Sequence, residues 1–128
     1  MDIAGKRFGK EEKLCSQKAI DSLFENGNVF YSGVLKIIWK ADSGNTPIKA
    51  AFSAPKKLFK LAVTRNLIKR RMREAYRNNK HVLYSHIAEK NISLAIFFII
   101  RAGNTPDYKT IEKSTKDALN KIIDFQKV

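Results

Sequence analysis

Between residues 17 and 26 the apolar positions Ile20, Leu23 and Phe24 recur at i, i+3 and i+4, the spacing of one helix face. Ser16 precedes them as a cap and Gly27 follows as a stop. From residue 29 to 40 the pattern changes to β-branched and aromatic residues, including Phe30, Tyr31 and Trp39, which predicts one or two strands. The turn cluster Asp42-Ser43-Gly44-Asn45-Thr46-Pro47 comes next, so residues 48–54 are expected to return antiparallel to that strand until Pro55 ends it. A helix is predicted over residues 61–79, while residues 81–90 read as either a short helix or a loop. Residues 92–101 form an almost continuous apolar run, as in a strand buried on both faces. After a loop at residues 103–106, a last helix spans 107–125 with Ile111, Ala118, Leu119 and Ile122 facing inward.

The order α-β-β-(β)-α-β-α predicts an α+β fold, a two-layer sandwich of a small mixed sheet packed with helices. The path from residues 48–54 through the long helix to residues 92–101 has room for a parallel crossover. Nothing in the chain reads as a repeat or a linker, and 128 residues fit a single domain spanning 1–128. With 44% apolar residues the chain has the material for a core. Cys15 stands alone, which rules out an internal disulfide and suits a reducing, cytoplasmic setting. The longest apolar run, Leu94 to Ile100, falls far short of the roughly 20 residues needed to span a bilayer. The N-terminal stretch has no apolar signal core, so a soluble protein with no membrane partner is expected.

Charge changes the picture most. The net charge is +13, and ten of the 25 basic residues lie between Lys56 and Lys80, with Glu74 the one acid among them. At about 100° per residue, Leu61, Ile68, Met72, Ala75 and Tyr76 gather on one side of the predicted helix. Arg65, Lys69 and Arg73 form an adjacent stripe, continued by Asn66, Arg70 and Arg77. A charged helix face is often no more than a solvated face. Here repulsion along the stripe is left mostly uncompensated, which favours a polyanion as partner. Guanidinium forks suit phosphate, and Asn66 can address a 2′-hydroxyl or a base edge. Further cations, Lys6, Arg7, Lys10, Lys13 and Lys18, lie near the first helix. No His/Cys/carboxylate group has metal-ligand spacing and no glycine-rich phosphate loop is present, so no catalytic residue and no protein-bound metal is expected. His81 and His86, in a polar stretch, read as surface residues.

Ser53-Ala54-Pro55-Lys56-Lys57, then Ala62-Val63, then Arg65-Asn66-Leu67-Ile68-Lys69-Arg70-Arg71-Met72-Arg73-Glu74-Ala75-Tyr76-Arg77 resembles the signature of the bacterial ribonuclease P protein subunit. Leu23-Phe24-Glu25-Asn26-Gly27 matches the end of that family's first helix, and the likeness runs from Phe8 to Ile123. Two positions depart from it. Leu67 stands where the family has arginine, with Arg71 as an extra charge on the opposite flank, and Ile20 stands where the family often has an aromatic residue.

The resemblance implies a two-part enzyme in which a catalytic RNA, holding magnesium or similar divalent ions, hydrolytically removes the 5′ leader of precursor tRNA. The protein is implied to be its non-catalytic subunit, binding the RNA subunit and the leader and broadening the substrate range to other small structured RNAs, without DNA specificity. By the same resemblance Arg65, Asn66, Lys69, Arg70, Arg73 and Arg77 face the RNA subunit. A leader cleft is expected between the first helix and the sheet, with Ile20 and Phe24 on one wall and Lys56, Lys57 and a sheet aromatic, Tyr31 or Phe52, on the other. By residue type alone Phe24, Tyr31 and Phe52 are equally suited to a core. The family also implies a left-handed βαβ crossover. Whether residues 1–7 are ordered stays open, as does the alternative of a general RNA-binding or ribosome-associated structural protein.

Overall fold

The computed structural model describes residues 9, 12–42, 47–90 and 92–126, and all that follows concerns these. In chain order they form α1 (Gln17–Asn26), β1 (Asn28–Ser32), β2 (Leu35–Asp42), β3 (Ile48–Ser53), α2 (Ala62–Asn79), α3 (His81–Lys90), β4 (Ser93–Ile100) and α4 (Tyr108–Gln126). Ser16 Oγ accepts the Ala19 amide at 3.3 Å, and the Gly27 amide closes α1 on the Leu23 carbonyl at 2.8 Å. Residues 81–90, ambiguous in the sequence, are helical. Residues 1–7, whose order the sequence leaves open, lie outside the described residues. So do Lys6, Arg7, Lys10 and positions 43–46 of the turn cluster.

The strands form one mixed sheet in the order β1-β2-β4-β3, with β3 and β4 parallel and the other pairs antiparallel. Residues 29–40, read as one or two strands, fall into two. Gly33, at φ 56°, turns the chain in a two-residue hairpin that pairs Ser32 with Leu35. A Cβ at this glycine would sit 2.2 Å from Ser114 Oγ, so backbone and space both demand glycine. Ser114 of α4 holds the hairpin: its carbonyl accepts Ser32 Oγ at 2.9 Å and its Oγ accepts the Val34 amide at 3.1 Å. Although β3 runs opposite to β2, it does not pair with it, because β4 inserts between them. The strand with the least polar sequence thus takes one of the two interior positions, where both edges are hydrogen-bonded.

Alternation then sorts the sheet into two faces. Leu35, Ile37 and Trp39 of β2 and Leu94, Ile96, Phe98 and Ile100 of β4 turn inward, onto Ile68, Met72, Ala75 and Tyr76 of α2. Ile111, Ala118, Leu119 and Ile122 of α4 join that core as expected. Leu61 does not. It lies at the helix entrance, 66% exposed, because the apolar stripe that meets the sheet begins about two turns later at Ile68. On the outer face α1 and the segment before it bury Leu23 and Leu14 against Ile38 and Ala95. The Leu14 amide bonds the Ala50 carbonyl at 2.9 Å, so this segment covers part of the open edge of β3.

One buried ion pair fastens the segment. Lys80 Nζ, 1% exposed, lies 2.6 Å from Glu12 Oε1, which also accepts the Tyr84 hydroxyl, while the Gly9 amide reaches Oε2 at 2.9 Å. Burial, together with nearby Tyr76 and Glu12, raises the Tyr84 phenol far above its usual range, so it stays a donor. Burial also pushes the Glu12 carboxyl up. The hydrogen bonds from Lys80, Tyr84 and Gly9 and the Lys80 charge outweigh this and hold it below its ordinary 4.5. A carboxyl with a depressed folded pKa contributes stability that is fully present above its unfolded value and lost as pH falls through the folded one. Wild-type stability is therefore expected to be level from this source above about pH 5 and to fall below pH 4. Glu12→Ala should cost about 3–5 kcal/mol at neutral pH, since it takes away the carboxylate that faces a buried ammonium, and should flatten that acid limb. Denaturant melts across pH check both.

Candidate nucleic-acid interface

Helix α2 carries the chain's densest charge and leaves the core no room to absorb it. Its inward side is filled by Ile68, Met72, Ala75 and Tyr76. On the side away from the core, Val63, Thr64, Asn66, Leu67, Arg70 and Arg73 line an open groove of about 450 Å³. Asn66, Arg70 and Arg73 are exposed and Lys69 is half-buried on the flank. The other two cations of the expected stripe are engaged within the fold. Arg65 folds back, its Nη1 donating to the Phe59 and Lys60 carbonyls at 2.8 Å each, and so ties the preceding loop to the first helical turn. Arg77 pairs with Glu74 one turn away. Arg71 does not stand in for the cation missing at Leu67, because it donates to the Pro106 carbonyl at 2.8 Å and anchors the loop before α4.

A second surface lies on the outer face of the sheet. Two rows cross it in register: Tyr31, Lys36, Ile99 and Ser53, and beside them Val29, Ile38, Phe97 and Ala51. Helix α1 covers Ile38, and Ile20 packs partly buried in that contact. Phe24 is 53% exposed and meets Phe97 edge-on at 5.2 Å. Tyr31 is 52% exposed with the Arg101 guanidinium 5.0 Å over its ring. Tyr31, Leu35, Leu58 and Arg101 line an open pocket of about 340 Å³ at the β1–β2 hairpin end of the sheet. β3 ends at Ser53, in register with Ile99, so the exposed Lys56 and Lys57 follow at that same end of the sheet.

Phe52 does not belong to this surface. Alternation sends its ring to the inner face, stacked on Phe98 at 5.2 Å and edge-on to Tyr76 at 5.7 Å. The aromatic it was expected to supply comes from Phe97, and Ile99, Lys36 and Arg101 complete the surface. Phe97 and Ile99 are hidden in the sequence because an unbroken apolar run gives no phase from which to tell outward residues from inward ones, and Lys36 and Arg101 because an isolated cation carries no local signal of the neighbours it meets. Among the described residues no group of His, Cys, Asp or Glu is arranged to hold a metal, and no helix is long and apolar enough to cross a membrane. His81 is exposed and His86 half-buried on α3.

An α+β sandwich with a cationic groove on one layer and a cation-flanked aromatic surface on the other defines a basic protein suited to extended polyanions. The ribonuclease P family model matches residues 8–123. The ribonuclease P protein component of Porphyromonas gingivalis ATCC 33277 is 34% identical over 120 residues, covering 90% of this chain and 85% of the relative. That of Chlorobaculum tepidum is 30% identical over 118 residues, covering 84% and 77%. The solved Staphylococcus aureus RNase P protein has the same fold, with a TM-score of 0.65 at 19% identity over 87% of this chain and 94% of that one. The chain belongs to the ribonuclease P protein family.

These placements separate fold from surface in a thermal melt. Phe24→Ala should leave stability within about 1 kcal/mol, whereas Phe52→Ala should cost about 3 kcal/mol by opening the core. Arg65→Ala should cost about 1 kcal/mol through its two lost carbonyl contacts, discounted because the side chain is partly solvated.

Proposed function

We propose that the protein is the non-catalytic subunit of ribonuclease P, assisting a catalytic RNA in removing the 5′ leader from precursor tRNA in the cytoplasm. The observation that carries this is the pair of cationic surfaces on opposite layers of the fold, one for each RNA segment. Asn66, Arg70 and Arg73, flanked by Lys69, face the RNA subunit, with Arg65 shaping the helix entrance and Arg77 at the far end. The leader, a single strand, lies along the outer sheet face. Phe24, Tyr31, Phe97 and Ile99 offer flat or apolar contact to bases, Ile20 backs them, and Lys36, Lys56, Lys57 and Arg101 meet phosphates. Such contacts tolerate any base sequence, as a subunit serving many precursor tRNAs and other small structured RNAs requires. They carry no DNA specificity.

In this reading the divalent ions and the hydrolysis belong to the RNA. The protein's contribution is to position substrate and to neutralise phosphate where RNA segments converge, which lowers the magnesium needed. Cleavage of a precursor tRNA by a cognate bacterial ribonuclease P RNA at low magnesium tests this. Accurate release of the leader is expected to rise by an order of magnitude or more on adding the protein, a gain of about 1.4 kcal/mol or greater in transition-state terms. Folded protein that binds the RNA without stimulating it would instead be a general RNA-binding protein.

A further inference from the structure

The solvent side of α2 is not uniformly cationic. Val63, Asn66, Leu67 and Arg70 follow one another at i, i+3, i+4 and i+7, opposite the buried stripe, with Arg73 at their edge. Val63 is 73% exposed, and the groove these residues line, about 450 Å³, falls within the range of small-molecule sites. A duplex backbone would offer this groove phosphate and water, which suits Arg70 and Arg73 but leaves Val63 and Leu67 without a partner. An unstacked nucleotide satisfies both halves, since every base has an apolar face and carries a phosphate at a fixed distance. A second copy of the chain is disfavoured, because Arg70 and Arg73 would meet their own kind on a protein of net charge +13.

We propose that this groove takes an unstacked nucleotide of the RNA subunit, with the base against Val63 and Leu67. Its phosphate and the next lie on Arg70 and Arg73, and Asn66 addresses the base edge or the 2′-hydroxyl. The inference rests on reading α2 as the face that meets the RNA subunit. It adds that this chain recognises a splayed base there and not charge alone. Leu67, where the resemblance calls for arginine, then supplies base contact in place of one cationic contact.

The test is the affinity of the full chain for a bacterial ribonuclease P RNA as a function of salt, with folding checked by circular dichroism. Val63→Ser/Leu67→Ser is expected to weaken binding about tenfold with an unchanged log–log salt slope, as loss of one base contact would. Arg70→Ala/Arg73→Ala is expected to flatten that slope by about 1.4–1.8. Val63→Ser alone, at a position too exposed to disturb the fold, should weaken binding about threefold and guards against a structural effect of Leu67. If the serine variants bind like wild type while the arginine pair flattens the slope, the groove reads phosphate only. The inference then fails and the assignment of α2 stands. A flattened slope in the serine pair would overturn the inference as well. If neither pair changes binding, α2 is not the RNA face and both fail.

Discussion

The central position of β4 constrains everything else in this molecule. Hydrogen-bonded on one edge to β2 and on the other to β3, it cannot shift by one residue without sending Leu94, Ile96, Phe98 and Ile100 to the wrong face. The burial of those four against α2 and α4 fixes the register. Fixing it delivers Ala95, Phe97 and Ile99 to the outer face. Ala95 is small enough to let α1 seat closely, and Phe97 and Ile99, only partly covered, become the floor of the surface beside it. The floor of the aromatic surface is thus a consequence of core packing, set by the same seven residues of β4.

Charge is sorted by the same geometry. With Ile68, Met72, Ala75 and Tyr76 committed to the core, the cations of α2 have no inward option. The fold uses three of them as struts: Arg65 on the entrance loop, Arg71 on the loop before α4, and Arg77 against Glu74. Asn66, Arg70 and Arg73 are left facing solvent beside Val63 and Leu67. Because α2 packs on the inner sheet face and α1 on the outer, the two surfaces lie in different layers. In the proposed role this allows RNA subunit and leader to be held together without competing for the same side chains. The buried Glu12–Lys80 pair matters to this arrangement because it anchors the segment leading into α1, and so one wall of the outer surface.

Much of this was legible in the sequence where the signal is local. The cap Ser16, the stop Gly27, the apolar face of α4 and the basic character of α2 each depend on residues within a turn or two of one another. What required coordinates was long-range. The insertion of β4 between β2 and β3 joins segments some fifty residues apart in the chain, and no turn residue records it. Phe52 was indistinguishable from an outward aromatic until its neighbours Phe98 and Tyr76 were placed. Arg65 and Arg71 looked identical to Arg70 and Arg73, because a guanidinium that bonds a distant carbonyl has the same sequence signature as one that awaits phosphate. The family motif identified the helix correctly but could not say which of its cations the fold itself consumes.

The central claim is that single-stranded RNA and the RNA subunit use different layers of the protein. The most direct measurement is an NMR titration of the isotopically labelled protein with a short single-stranded RNA oligonucleotide. Resonances of Phe24, Tyr31, Phe97 and Ile99 are predicted to move at lower oligonucleotide concentration than those of residues 63–73, whose groove is proposed to take a nucleotide already splayed out by the folded RNA subunit. Shifts confined to α2, with the outer sheet face silent, would contradict the account.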